Sequence, residues 1–204
     1  MIAARETNRE IKRKRILDAA LKLFARKGFG ATALEEVARR ARLAKGTLYL
    51  YFKDKEDLYA QVVLDVFERL EASVVERYER STGVVAKLRA VAEAQILFFS
   101  RNRDVFRLFS LLQTTEAALV HRRLFGPLME KRRLLETFLT ELVEEGKSQG
   151  VIRSDVGTLA MVDSFIGMIN QAVGRQCFDG RGNGEAEETA EAVMTILLTG
   201  VLRK

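Results

Sequence analysis

The sequence predicts an all-α protein: a small N-terminal three-helix domain joined by a long helix to a larger helical domain. Three observations carry that prediction. Apolar residues from Ile16 to Phe24 recur at i, i+3, i+4, i+7 and i+8, the period of an amphipathic helix. The chain has one proline, and β-branched runs bounded by turn residues, the mark of strands, are few. The charge is uneven: residues 1–55 hold fifteen Lys/Arg and six Asp/Glu, a net +9, and residues 56–204 hold nineteen and twenty-two, a net −3. A basic domain at 1–55 and a mildly acidic one at 56–204 follow from that division.

Ile16, Ala19, Ala20, Leu23 and Phe24 share one helical face. They predict a first helix over about 9–27, which Gly28 and Gly30 end. Thr32 and Glu35 read as a capping box that opens a second helix burying Leu34, Val37, Ala38 and Ala41. A break at 42–44 precedes a short third helix over 45–51. Asp54 reads as the N-cap of a fourth, with Glu56 and Asp57 suited to the dipole of its first turn. That helix runs to about 80, where Ser81, Thr82 and Gly83 break it. Further helices are predicted at about 84–101, 103–121, 127–148, 156–178 and 186–203. Pro127 suits the first position of a helix, Gly150 a helix stop, and 180–184 a flexible connection.

With 48% hydrophobic and 30% charged residues, the chain can bury a sizeable core. A single cysteine, Cys177, excludes an internal disulfide framework. The charged N-terminal stretch lacks the apolar centre of a signal peptide, and the longest apolar runs, of about ten residues, fall short of the roughly 20 a membrane span needs. A cytoplasmic protein without membrane contact is expected. With one His and one Cys, no catalytic constellation, metal-ligand cluster, GxGxxG or Walker lysine loop is present, so neither enzyme chemistry nor a cofactor or metal is expected.

The stretch LAKGTLYLYFKDKEDLY, 43–59, holds three of the four tyrosines beside Lys45, Lys53 and Lys55. Two helices joined by a tight turn, the second short and carrying Lys, Thr and Tyr, form a helix-turn-helix pattern. A helix that reads the major groove must be half apolar, to stay on its domain, and half polar, to reach base edges and phosphates. Leu48 and Phe52 take the first role, and Lys45, Thr47, Tyr49 and Tyr51 the second. Gly46 removes a side chain where backbone and DNA approach closely. Tyr59 is read as a core aromatic. The expected partner is double-stranded DNA.

ILDAALKLFARKGF (16–29), TALEEVARRA (32–41) and KGTLYLYFKDKEDL (45–58) together resemble the DNA-binding domain of TetR-family transcriptional regulators. The resemblance implies DNA contacts from Lys45, Thr47, Tyr49 and Tyr51, and phosphate contacts from Lys55 and Thr32. Arg42 and Ala44 stand where the family usually has Gly and Ser, and Arg42 is taken as a replacement phosphate contact.

In the larger domain, aromatic residues and Met alternate with amides and hydroxyls, the composition of a mostly apolar small-molecule site. Gln95, Phe98, Phe99, Phe109 and Gln113 form the first part of its expected lining, and Phe138, Phe165, Met168 and Asn170 the rest. The resemblance implies such an effector pocket, and a homodimer made by the last two helices, with Val193, Leu197, Gly200 and Val201 on its stripe. Cys177 lies in the same region and reads as a small core residue, and His121 as a surface one. The expectation is a homodimeric regulator, a repressor released from a pseudo-palindromic operator by an apolar or amphipathic effector. Two alternatives stay open: a DNA-binding dimer governed by a partner protein, with a solid core, and a basic helical RNA-binding protein.

Overall fold

The structure, a computed structural model, describes residues 2–112, 118–178 and 184–201, with side chains over 8–108, 123–175 and 188–199. Among them nine helices follow in order: α1 (Ile2–Lys27), α2 (Leu34–Arg40), α3 (Lys45–Tyr49), α4 (Lys55–Glu79), α5 (Val84–Arg101), α6 (Arg103–Leu112), α7 (Ala118–Ser148), α8 (Thr158–Phe178) and α9 (Gly184–Val201). The chain forms two compact units: Met1–Glu68 with Asp104–Leu128, and Arg69–Arg103 with Met129–Lys204.

In the first unit the predicted apolar face of α1 is the core: Ile16, Ala20 and Phe24 are fully buried, as are Val37 of α2, Leu48 of α3 and Leu58 of α4. Burying each large apolar side chain contributes about 1.5–3 kcal/mol. Tyr59 is a core residue as expected, meeting Phe24 and Phe29 edge-on at 4.9 and 5.4 Å between ring centres. Burial pushes its phenol up to about 12 because the charged form would lose its hydration. Gly28, at φ 81°, ends α1, and its N–H donates to the Phe24 carbonyl. Two long-range bonds hold α1 in place: Arg13 Nη2 donates to Gln61 Oε1 at 2.7 Å, and Arg15 Nη2 to the Ala41 carbonyl at 2.8 Å. α1 begins at Ile2 rather than near residue 9.

In the second unit α5 packs against α8 and α9, which also pack on each other. Leu88, Val91, Ile96, Leu139, Met161, Phe165 and Met194 fill the space between. Lys147 Nζ ties the end of α7 to the start of α8, donating to the Val156 carbonyl at 2.9 Å and to Thr158 Oγ1 at 2.7 Å. Gly146 is needed for packing, since a Cβ there would lie 2.5 Å from Ile152 Cδ1.

Two expectations are corrected here. Pro127 does not start a helix but lies inside α7, which already runs from Ala118. The ring removes one backbone donor at an exposed position, and the turns on either side carry the helix past it. On α9, Val193 and Leu197 are 9% and 5% exposed. They face the unit's own core rather than outward, and Ile196, at 63%, is the exposed apolar residue. The Gly200 and Val201 side-chain positions, His121 and Cys177 lie outside the residues whose side chains are described.

Candidate nucleic-acid interface

α2 ends in a Schellman turn: the Leu43 N–H donates to the Ala38 carbonyl at 2.9 Å and the Arg42 N–H to the Arg39 carbonyl at 3.1 Å. This motif places its C′ residue in the left-handed region, and Arg42 sits there at φ 57°. A Cβ crowds the following carbonyl in that region, which is why glycine is usual. Arg42→Gly should therefore raise the unfolding free energy by about 0.5–1 kcal/mol, relief of strain exceeding the entropy that glycine adds to the unfolded chain. Urea unfolding measures this, and an unchanged or lowered midpoint would show an unstrained turn.

The extended backbone of Ala44, at ψ 145°, redirects the chain into α3. α3 spans 5 residues, ending at Tyr49 rather than Tyr51, because the Leu50 N–H turns back to the Thr47 carbonyl and that of Tyr51 to Leu48 in a tighter i+3 pattern. The two faces separate as the sequence predicts: Leu48 and Phe52 are 0% and 2% exposed, whereas Tyr49 is 48% exposed. Lys45 and Gly46 are exposed, Thr47 and Tyr51 half-buried. A Cβ built on Gly46 would meet no atom within 4 Å, so packing within the chain does not call for glycine there. Leu50, at 75% exposure, also lies on the outer surface.

Lys45 forms an ion pair with Glu35 of α2. The hydrogen bond from Lys45 holds the Glu35 carboxyl below its usual range, and the same bond raises the ammonium. Glu35 is thus engaged with the third helix, and the predicted capping box does not form. α2 starts at Leu34 with Ala33 as a cap that makes no side-chain bond. Thr32, 2% exposed, donates its hydroxyl to the Gly28 carbonyl at 2.7 Å, which stabilises the α1–α2 turn. Lys55 is half-buried; its ammonium donates to the Gly30 carbonyl at 2.9 Å and lies 4.7 Å from the Phe29 ring centre.

Asp54 caps α4 as predicted, accepting from the Asp57 N–H at 2.7 Å, while the Asp57 carboxylate accepts from the Lys53 N–H at 2.9 Å. Arg123 of α7 grips the Asp54 carboxylate with both arms, at 2.8 and 3.1 Å, and reaches Glu56 at 3.6 Å. The guanidinium holds the Asp54 carboxyl below its usual range. This contribution is present above the ordinary Asp range and is lost only as pH falls through the depressed value. The pair offsets negative charge two residues after Phe52.

Of the described residues of the expected effector lining, Phe165 borders a cavity in the second unit, whose walls also include Leu88, Leu139, Val143, Met161, Val162 and Leu197. That cavity holds about 10 Å³, room for roughly one water. Gln95, Phe98, Phe99, Phe138 and Met168 are half-buried and Asn170 is exposed. Phe98 and Phe99 meet edge-on, as do Phe138 and Tyr78. Gln113 and the Phe109 side chain lie outside the described residues.

Two family models match the chain. One, for bacterial regulatory proteins of the tetR family, fits residues 16–62. The other, for the tetracyclin repressor-like C-terminal domain, fits residues 81–201. The chain belongs to the tetR family of bacterial regulatory proteins.

Among relatives, the chain is 24% identical over 196 residues to the uncharacterized HTH-type transcriptional regulator YdgC of Bacillus subtilis, covering 94% of this chain and 93% of that one. It is 43% identical to the HTH-type transcriptional regulator AcrR of Shigella flexneri over 61 residues, 29% of this chain and 28% of AcrR. Among solved structures, the fatty acid degradation regulator FadR from Bacillus halodurans superposes with a TM-score of 0.78 at 22% identity, over 93% of this chain and 95% of that one. FadR from Bacillus subtilis in complex with stearoyl-CoA gives 0.75 at 20%, over 92% and 98%. This TetR-family chain is a DNA-binding transcriptional regulator and not an enzyme. Among the described residues, no helix is long and apolar enough to cross a membrane.

Sequence reasoning missed Arg123, which is 69 positions from Asp54 and carries no local signal. It missed the cavity walls because it sought aromatic and amide residues, whereas the walls are mainly aliphatic. The basic turns of α1 upstream of Ile16 were legible as charge but were assigned no contact.

Proposed function

We propose that this chain is a homodimeric repressor that grips a pseudo-palindromic operator through α3 and releases it when a small apolar or amphipathic effector binds the second unit. The observation that carries the reading is the two-sided character of α3 and the turn that follows it: Leu48 and Phe52 are buried, and Tyr49 is 48% exposed next to Lys45. In this reading Lys45, Thr47, Tyr49 and Tyr51 meet base edges and phosphates. Gly46 lets the backbone come close, and Arg42 takes a phosphate from its left-handed perch. Lys55 adds its positive charge beside the Gly30 carbonyl for a neighbouring phosphate. Thr32 supports the turn instead of contacting DNA, because its hydroxyl is buried and bonded.

The test is titration of a duplex selected from random sequence. Tyr49→Ala is expected to lose tenfold or more in affinity, about 1.4 kcal/mol, at an unchanged melting temperature, and Tyr49→Phe less. Arg42→Gly should weaken the same binding while stabilising the fold. A Tyr49→Ala variant with wild-type affinity removes Tyr49 from the interface. For the effector, stearoyl-CoA is a chemically apt probe, being the ligand in the FadR complex from Bacillus subtilis, and release of the duplex on its addition is the expected outcome.

The cavity favours a second reading. About 10 Å³ is far from the roughly 300–1,000 Å³ of a small-molecule site, so an effector seated beside Phe165 must part the helices that line that cavity. A regulator governed by a partner protein needs no such opening. Duplex binding insensitive to saturating apolar and amphipathic compounds would move that reading ahead.

A further inference from the structure

α1 extends 14 residues upstream of the segment matched to the family's DNA-binding domain, from Ile2 to the match's start at residue 16. Residues 8–15 read NREIKRKR, five basic residues against one acidic. Two of the five are committed to the fold: Arg13 lies over the Phe52 ring and bonds Gln61, and Arg15 bonds the Ala41 carbonyl. Arg9 differs. Its guanidinium carbon lies 6.0 Å from the centre of the Tyr51 ring, while the residue stays exposed. On a helix of 3.6 residues per turn, positions 9, 12, 13, 16 and 20 share a face. Ile16 and Ala20 are fully buried on that face, so Arg9 and Lys12 continue the core stripe of α1 outward beside the end of α3. Among the described residues no carboxylate forms an ion pair with Arg9, Lys12 or Lys14.

We infer that Arg9, with Lys12 one turn on, forms a second phosphate-binding strip continuous with α3, so that α1 contacts the duplex backbone. The inference rests on α3 being the element that meets DNA. A guanidinium held near an aromatic ring by cation–π attraction still has its N–H fork to offer to two phosphate oxygens. Arg9 and Tyr51 then flank one phosphate: the ring positions the cation, and the cation and the phenol hydroxyl both donate. The contact is to backbone, so it adds affinity on every sequence and no base preference.

The experiment uses the full chain and a mixed-sequence duplex, with affinity measured by fluorescence anisotropy over a series of salt concentrations. Each phosphate contact contributes about 0.9 to the slope of log affinity against log salt. Arg9→Ala is expected to weaken binding and flatten the slope by about 0.9, and Arg9→Lys to keep the slope. Lys14→Ala, exposed on another face of α1, should leave the slope unchanged. A wild-type slope in Arg9→Ala overturns the proposal and leaves Arg9 as a support for Tyr51. Equal flattening in Lys14→Ala also overturns it, because the effect is then overall charge. Failure of the α3 reading shows separately, as a Tyr49→Ala variant that binds a selected duplex like wild type.

Discussion

Phe52→Ala is expected to remove about 3–5 kcal/mol from the stability of the first unit, the usual result of truncating a buried Phe, and to abolish duplex binding with it. Phe52 is 2% exposed and sits where α3 has ended and α4 has not begun, between Tyr51 and the Asp54 cap. Few backbone bonds hold that segment: the Phe52 N–H reaches the Leu48 carbonyl at 3.1 Å, and the next regular ladder starts with the Leu58 N–H on Asp54. Side-chain burial must fix α3 instead, because a helix of 5 residues cannot hold itself together in water. The Arg13 guanidinium 6.0 Å from the ring centre would also lose its support. A domain of ordinary stability has only about 5–15 kcal/mol in total, so the variant is left near its unfolding threshold. Leu50→Ala, two positions away and 75% exposed, should stay within about 0.5 kcal/mol of wild type. Urea unfolding followed by circular dichroism measures both. A Phe52→Ala variant within about 1 kcal/mol of wild type would mean that α3 is held by something other than this ring.

The same contrast explains what was legible beforehand. The core of the first unit could be read because it is local: Ile16, Ala20 and Phe24 repeat within one helix, and their burial needs no knowledge of distant partners. The Asp54 cap was visible for the same reason. Thr32 and Glu35 had the right spacing for a capping box, but each found a competing partner. Thr32 turned back to the Gly28 carbonyl, and Glu35 reached Lys45 on α3. Spacing shows that a bond is available and cannot rank it against a partner supplied by the turn. Pro127 misled similarly, since its preference for a first turn is weak beside a helix already running through Leu124, which is 1% exposed. The Arg123 clasp on Asp54 joins residues 69 apart, and no pattern in either segment announces it. The stripe on α9 shows a third limit. An i, i+4 apolar row marks a buried face but does not say whether the chain's own core or a second copy covers it.

That last ambiguity sets the other large effect. Leu197 is 5% exposed and borders the cavity, so Leu197→Glu places a carboxylate in the core and should unfold or aggregate the second unit whatever the oligomeric state. The informative substitution is Ile196→Glu. Ile196 is 63% exposed and Leu159 on α8 is 71% exposed, two large apolar side chains in water on the helices proposed to pair. A Cβ at Gly157, Gly167 or Gly174 would meet nothing within 4 Å, so packing within one chain does not require these glycines, whereas close approach of a second copy would. With Ile196→Glu the two-fold interface would have to bury a pair of like charges near its axis, and monomers are expected. Each monomer could then engage a single half-site, and loss of the tethered second α3 should lower operator affinity by about 10²–10⁴. Because position 196 is exposed, the melting temperature of the isolated chain should hardly change. Light scattering gives the mass, anisotropy the affinity and circular dichroism the fold. A folded Ile196→Glu variant with the mass of a dimer would place the interface elsewhere, and one that is monomeric yet binds the full operator as wild type does would remove the two-fold argument for a pseudo-palindromic site.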